Sequence, residues 1–337
     1  MRRALRVLFE PQLAAVDIPA RHHAMMVAAT ATGDACLHVY AVPTDAVSLG
    51  RYLLPPPAGD VPFVPRYSGG RAMPLGPGFV GVALALPHRS ALVGSEPLAL
   101  SAEQVLNRCV RGIMAGSKAI GIELFYPGRD LLTVGSRACA MVSFTVESNG
   151  ATLFEALLAT ERDFTALPLL LDRADPTGVV RIALWQPDQA VAIGAVLGRR
   201  LTFDELSDRI VAGYVSTFGM EPKLGASVGM TDALPPWCSS VPSGLDRRSS
   251  VTTMLGVLET HVGVSPAGRM TGLRITGDLI ADPSGIARVE AGVVGCDPGS
   301  GEVGAAIALI YADPAHFLLG IGPTATLTDA IVRAATP

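Results

Sequence analysis

The sequence predicts an α+β protein: a mixed sheet with helices packed on one face, followed by a smaller C-terminal α+β domain. Three observations predict it. Short apolar segments bounded by turn residues come in runs, set apart from a few helical stretches. Two of those stretches open with a capping-box pattern, Ser101 with Gln104 and Thr202 with Glu205. A Gly-, Pro- and Ser-rich stretch at 219–248 sets the C-terminal part off from the rest. The expected division is a domain over 1–224, a linker over 225–248 and a second domain over 249–337.

In chain order, residues 1–9 read as a first strand, its apolar run ended by Glu10-Pro11. Residues 17–30 read as a helix with Asp17 as cap, Pro19 in the first turn and an Ala/Met/Val face, which leaves His22 and His23 at the surface. Strands are expected at 36–40 and 46–49, around the turn Pro43-Thr44-Asp45. The Pro-rich residues 53–65 read as a surface loop. Residues 79–86 alternate apolar and small side chains, as a buried strand does. A helix over 101–120 places Val105, Cys109, Ile113 and Ile120 at helical spacing. Strands follow at 123–126, 131–134 and 139–146, with Asn149-Gly150 as a turn, and then a helix over 202–218. In the C-terminal part, 253–265, 272–280 and 288–294 read as strands, closed by a helix over 326–334.

Composition narrows the function. The 337 residues are 49% hydrophobic and 17% charged, which excludes a largely disordered chain. A net charge of -4 provides no basic field for a phosphate backbone, so no nucleic-acid partner is expected. Mean hydropathy is +0.41, yet apolar runs such as 79–87 and 305–311 fall far short of the ~20 residues of a spanning helix. No membrane partner is expected, and the location expected is the cytoplasm. Cys36, Cys109, Cys139, Cys238 and Cys296 lie far apart without a CxxC pair, so they read as reduced thiols and no metal site is expected. The lysines are two, Lys118 and Lys223, and both read as solvated.

Two segments can carry chemistry. The first is Arg66-Tyr67-Ser68-Gly69-Gly70-Arg71-Ala72-Met73-Pro74-Leu75-Gly76-Pro77-Gly78. Gly69-Gly70 lets backbone approach a ligand, successive N–H groups there can form an anion nest, and Arg66 and Arg71 add fixed charge suited to phosphate or carboxylate. The stretch has neither the P-loop nor the dinucleotide fingerprint. The second is Tyr126-Pro127-Gly128-Arg129-Asp130-Leu131-Leu132. Here Asp130 either holds a ligand or metal, or caps the turn and pairs with Arg129.

Together these segments resemble the biotin/lipoate protein ligase family, in the form of a lipoate–protein ligase with an accessory domain. Pro65-Arg66-Tyr67-Ser68-Gly69-Gly70-Arg71-Ala72 follows that family's arginine, two spacers and glycine run, and Gly76-Pro77-Gly78-Phe79 its turn into a strand. Asp130-Leu131 matches its Asp-Leu pair. Asp45 to Arg51 is similar to its strand ending in LGR, and 268–279 to the accessory domain's strand pair. The resemblance implies a biotin/lipoate ligase-like fold and a chemistry. Lipoate or a related small carboxylic acid would be activated with ATP and Mg, then passed to a lysine of a lipoyl-type carrier domain. It implies ligand-binding roles for Arg66, Ser68, Gly69, Gly70, Arg71, Ala72, Gly76, Gly78, Asp130 and Ala138. The family's essential lysine falls on Ala138 in Gly135-Ser136-Arg137-Ala138-Cys139, and Arg71, in place of a glycine, is the candidate substitute. The implied function is therefore acid activation and transfer. The alternative is an impaired member that binds a lipoyl-type ligand or partner protein without ligating it.

Overall fold

The computed structural model describes residues 3–56, 59–174, 188–225, 229 and 240–336. The N-terminal part contains, in order, β1 (Ala4–Glu10), α1 (Ile18–Thr32), β2 (Ala35–Tyr40), β3 (Ala46–Leu49), β4 (Phe63–Pro65), β5 (Met73–Leu75), β6 (Phe79–Leu86), α2 (Ala102–Lys118), β7 (Leu131–Val134), β8 (Arg137–Val146), β9 (Thr152–Ala159), α3 (Ala166–Ala174), α4 (Ile193–Leu197), α5 (Phe203–Phe218) and β10 (Glu221–Leu224). The C-terminal part contains β11 (Arg247–Thr252), β12 (Val257–Val264), β13 (Met270–Gly277), β14 (Ile280–Ala281), α6 (Pro283–Gly292), α7 (Glu302–Tyr311), β15 (Leu318–Leu319) and α8 (Thr324–Ala335).

Seven strands form the main sheet in the order β10-β1-β2-β6-β9-β8-β7. It is mixed: β1 runs parallel to β10 and β2, and the other pairs are antiparallel. Side chains alternate across it. Leu5, Val7, Leu37, Val142 and Phe144 share a cluster with Val105, Ile113, Ile210 and Tyr214 of α2 and α5. Leu8, Cys36, Ala83 and Leu153 point the other way, into a cluster with Met25, Met26 and Ala29 of α1. Helices therefore flank both faces rather than one, because α1 has an apolar side of its own. A small sheet, ordered β4-β3-β5, makes a further cluster in which Val47, Leu49 and Met73 meet Met141 and Leu157. In the C-terminal part, the antiparallel sheet β11-β12-β13 shares a core with Ile286, Val289, Val303, Leu327 and Ile331 of its three helices.

Several expected elements differ. Residues 123–126 hold a single bridge, Phe125 to Thr133, not a strand. The sequence reading has no strand at β9, where every residue is buried and no polar alternation marks the run. Residues 288–294 belong largely to helix α6 instead of a strand. Asp282 caps it by accepting from the Gly285 N–H, and Pro283 opens it, a start signal that outweighs the apolar run. Residues 221–224, just before the expected linker, form an edge strand on β1, and the strand β11 begins inside the linker's far end. Pro235-Pro236 and Cys238 lie outside the described residues. No helix among the described residues is long and apolar enough to cross a membrane.

Candidate functional site

The loop between β4 and β5 lies against β8 and β9 and is buried along its length. Arg66 knits it together. Its Nη2 donates to the carbonyls of Gly69 and Arg71, both at 2.6 Å, its Nη1 to Ser48 O at 3.3 Å and its Nε to Ser68 Oγ at 3.2 Å. Burial pushes this guanidinium down to about 10, and these donors go to backbone carbonyls and to Ser68. From the sheet below, Ser143 Oγ donates to Gly69 O at 2.9 Å, and Glu155 Oε2 accepts the Ser68 N–H at 2.9 Å. Ser143 and Glu155 are cross-strand partners. Glu155 Oε1 in turn meets His22 Nδ1 at 2.9 Å. His22 is fully buried, not at the helix surface, because α1 turns this face onto the sheet to meet that carboxylate.

The C-terminal part closes the loop from above. Gly70 N–H donates to Leu279 O at 2.7 Å, and Gly277 N–H to Tyr52 O at 2.9 Å. A Cβ at Gly69 would collide with Leu279 O, so this glycine is the point of close approach. Gly70 is needed for a different reason, its φ of +82°. Two N–H groups of the expected anion nest are thus already bonded within the protein.

Arg71 and Asp130 meet here across 59 residues of chain. Arg71 Nε and Nη2 lie 2.8 and 2.7 Å from Asp130 Oδ2, and the two residues are 7% and 3% exposed. Asp130 is therefore not paired with Arg129, whose Nη2 donates to Met254 O in the C-terminal part. Asp278, beside this pair, accepts the Val257 N–H at 2.8 Å. Burial pushes its carboxyl up to about 6, despite the opposing pull of that N–H and of Arg71. Ala138 is 2% exposed and belongs to the apolar cluster of the small sheet, while Arg137 is exposed. A register irregularity between Leu132 and Thr133 leaves Cys139 bulged, which puts Ala138 on the same side as Met141 and Ser143.

The structure brings Arg66, Ser68, Gly69, Gly70, Arg71 and Asp130 together. Ala72 is buried in the neighbouring apolar cluster. Gly76 and Gly78 instead shape the turn into β6, against Asp45 and Arg162. Sequence reasoning misses Ser143, Glu155 and His22. A lone carboxylate in the otherwise apolar run of β9 is the one signal that points to them. Leu279 O takes the Gly70 N–H and Glu155 the Ser68 N–H, two donors that a phosphate at this loop would need. A cavity of about 150 Å³ does reach Asp130, lined also by Tyr126, Leu106, Leu255 and Ile280. Among the described residues no group of three His, Cys, Asp or Glu side chains could hold a metal.

A seven-stranded mixed sheet bearing a buried glycine loop, with an α+β segment packed on that loop, defines the class of fold. No protein-family model matches the chain, and no curated protein matches its sequence. Solved structures do match. P. falciparum LipL1, in complex with lipoate, superimposes with a TM-score of 0.64 at 11% identity over 97% of each chain. Lipoate-protein ligase A bound with ATP gives 0.50 at 13% identity, over 67% of this chain and 90% of that one. A bi-partite lipoate protein ligase from Thermoplasma acidophilum, described with its E2 lipoyl domain, gives 0.51 at 13%, over 66% and 86%. The chain has a biotin/lipoate ligase-like fold.

Proposed function

We propose that this protein binds a lipoyl-type carboxylic acid, free or on its carrier domain, without an ordinary adenylation step. The observation that carries this reading is the buried Arg71–Asp130 pair. The guanidinium offered as substitute for the missing lysine is neutralised inside the protein, and Ala138 presents only a methyl group to apolar neighbours. An acyl chain suits such surroundings, because an apolar lining with few polar groups is how small ligands are held. The full ligase reading, ATP-dependent activation of lipoate with Mg and transfer to a carrier lysine, is supported by similarity of fold to LipL1 over 97% of both chains. It requires residues 278–282 to leave the glycine loop and Arg71 to exchange Asp130 for the acid. Calorimetry with lipoate, with and without ATP, beside a mass assay on a lipoyl domain, separates these. Lipoate binding with an unchanged carrier mass supports the first reading. A lipoyl increment on the carrier establishes the second, and absence of lipoate binding in every condition removes both.

A further inference from the structure

Arg89 follows β6 at the junction of the N- and C-terminal parts and is 4% exposed. Among the described residues its guanidinium makes no hydrogen bond or ion pair, and its Nε is buried without a partner. Such a group is costly, since an arginine stays charged in proteins and a buried charge is normally paired. The carboxylates of Asp282 and Glu103 act on it electrostatically without touching it, and both have hydrogen-bond partners elsewhere. Asp282 accepts from the N–H groups of Gly285 and Phe317 and from His316 Nδ1, at 2.6–2.8 Å. Glu103 is held by Ser101 and its own backbone at the start of α2.

Two cavities meet at this side chain. One, about 150 Å³, is lined by His88, Arg89, Glu147, Asp282 and His316. The other, about 550 Å³, is lined by Arg89, Ser101, Glu103, Gln104, Tyr311 and His316. Even the smaller holds roughly five waters' worth of volume, enough for a carboxylate or phosphate group. Two more polar atoms on these walls are buried without a partner among the described residues, His88 Nδ1 and Tyr311 Oη. The larger cavity also borders the N-terminal turn of α2, whose dipole favours negative charge. The loop is built to hold this shape: Ser90 Oγ donates to Pro97 O and accepts the Leu100 N–H, at 2.8 and 2.9 Å.

We propose that Arg89 anchors a second anion site at this junction, one that takes the carboxylate or phosphate group of a small molecule. It is separate from the glycine loop and stands whether or not the protein binds lipoate. The Nε–H and Nη groups form the planar fork that suits either oxyanion, and Tyr311 lines the larger cavity from the C-terminal part.

The test titrates the full chain with inorganic phosphate and, separately, with propionate, following Tm against sodium chloride at equal ionic strength. The expected result is a saturable rise in Tm with one of the two, which also tells phosphate from carboxylate. Arg89→Met should weaken that response at least tenfold. Tyr311→Phe removes one hydroxyl with little change of volume and should weaken it several-fold, and it serves if Arg89→Met does not fold. A response no larger than that to chloride, or one unchanged in these variants, overturns the proposal.

Discussion

At the residue scale, Arg71 and Asp130 form a buried ion pair in the candidate site. Breaking a buried pair from one side leaves the other charge stranded, which costs more than the pair contributes. Asp130→Asn should therefore lower unfolding stability by about 3 kcal/mol, read by urea denaturation. Arg71→Met with Asp130→Leu should cost much less than the single change, since neither charge is then buried. If Asp130→Asn is neutral, the pair is not what holds the loop. Asp278 adds a pH dependence. Its folded value of about 6 lies above the ordinary 3.8, so the folded protein holds this proton more tightly. That stabilisation is full below pH 3.8 and lost as pH rises towards 6. His38 acts in the opposite sense, because burial pushes it down to about 4. Comparison with Asp278→Asn isolates the first effect. From pH 4 to 6.5 the wild type should lose on the order of 2–3 kcal/mol relative to the variant. Parallel stability curves for the two would show that Asp278 does not titrate there.

At the element scale, α2 and α5 touch backbone to backbone through glycines. A Cβ at Gly213 would collide with Gly112 O, and one at Gly116 with Arg209 O. Tyr214 fills the space over Gly112, and its hydroxyl donates to Cys109 O at 2.8 Å. Overpacking a contact this close forces the helices apart. Gly213→Val should cost roughly 3 kcal/mol or more, visible as a fall in the denaturation midpoint. A midpoint within error of wild type would mean that the helices can separate freely. The sequence reading places both helices within two residues of their ends, because their caps and period are local signals. It does not show that their glycines serve as a contact, since nothing in either helix alone names its neighbour.

For the whole molecule, the junction between the N- and C-terminal parts joins the glycine loop to the C-terminal core. Residues 278–282 meet the glycine loop through Leu279 O and Tyr52, whose hydroxyl donates to Ala281 O at 3.1 Å. Phe317 stacks on Phe144 of β8 with centroids 4.9 Å apart. We propose that the N- and C-terminal parts separate at this contact. Gly69→Ala places a methyl group against Leu279 O and beside the Tyr52 ring, and should weaken the junction. Limited proteolysis should then cut faster within 225–248 than in wild type. Equal cleavage rates would indicate that the two parts form one rigid body regardless of this contact.

What the sequence determines by itself is local. The bounds of β3, β6 and β7, the cap of α5 and the hairpin turn at Asn149-Gly150 follow from spacing, capping residues and a glycine at φ +86°. The glycine loop and Asp130 are legible as candidates for the same reason: their residue types are unusual where they stand. Their use is decided only in three dimensions. Arg66 turns inward, Arg71 pairs with Asp130, His22 goes under the sheet to Glu155, and Leu279 covers Gly70 from 209 residues away. Each outcome depends on which strands lie side by side and how deeply a charge is buried. A charge out of water must take whatever partner the packing brings within reach, and that partner is set by the fold rather than by the neighbouring residues in the chain.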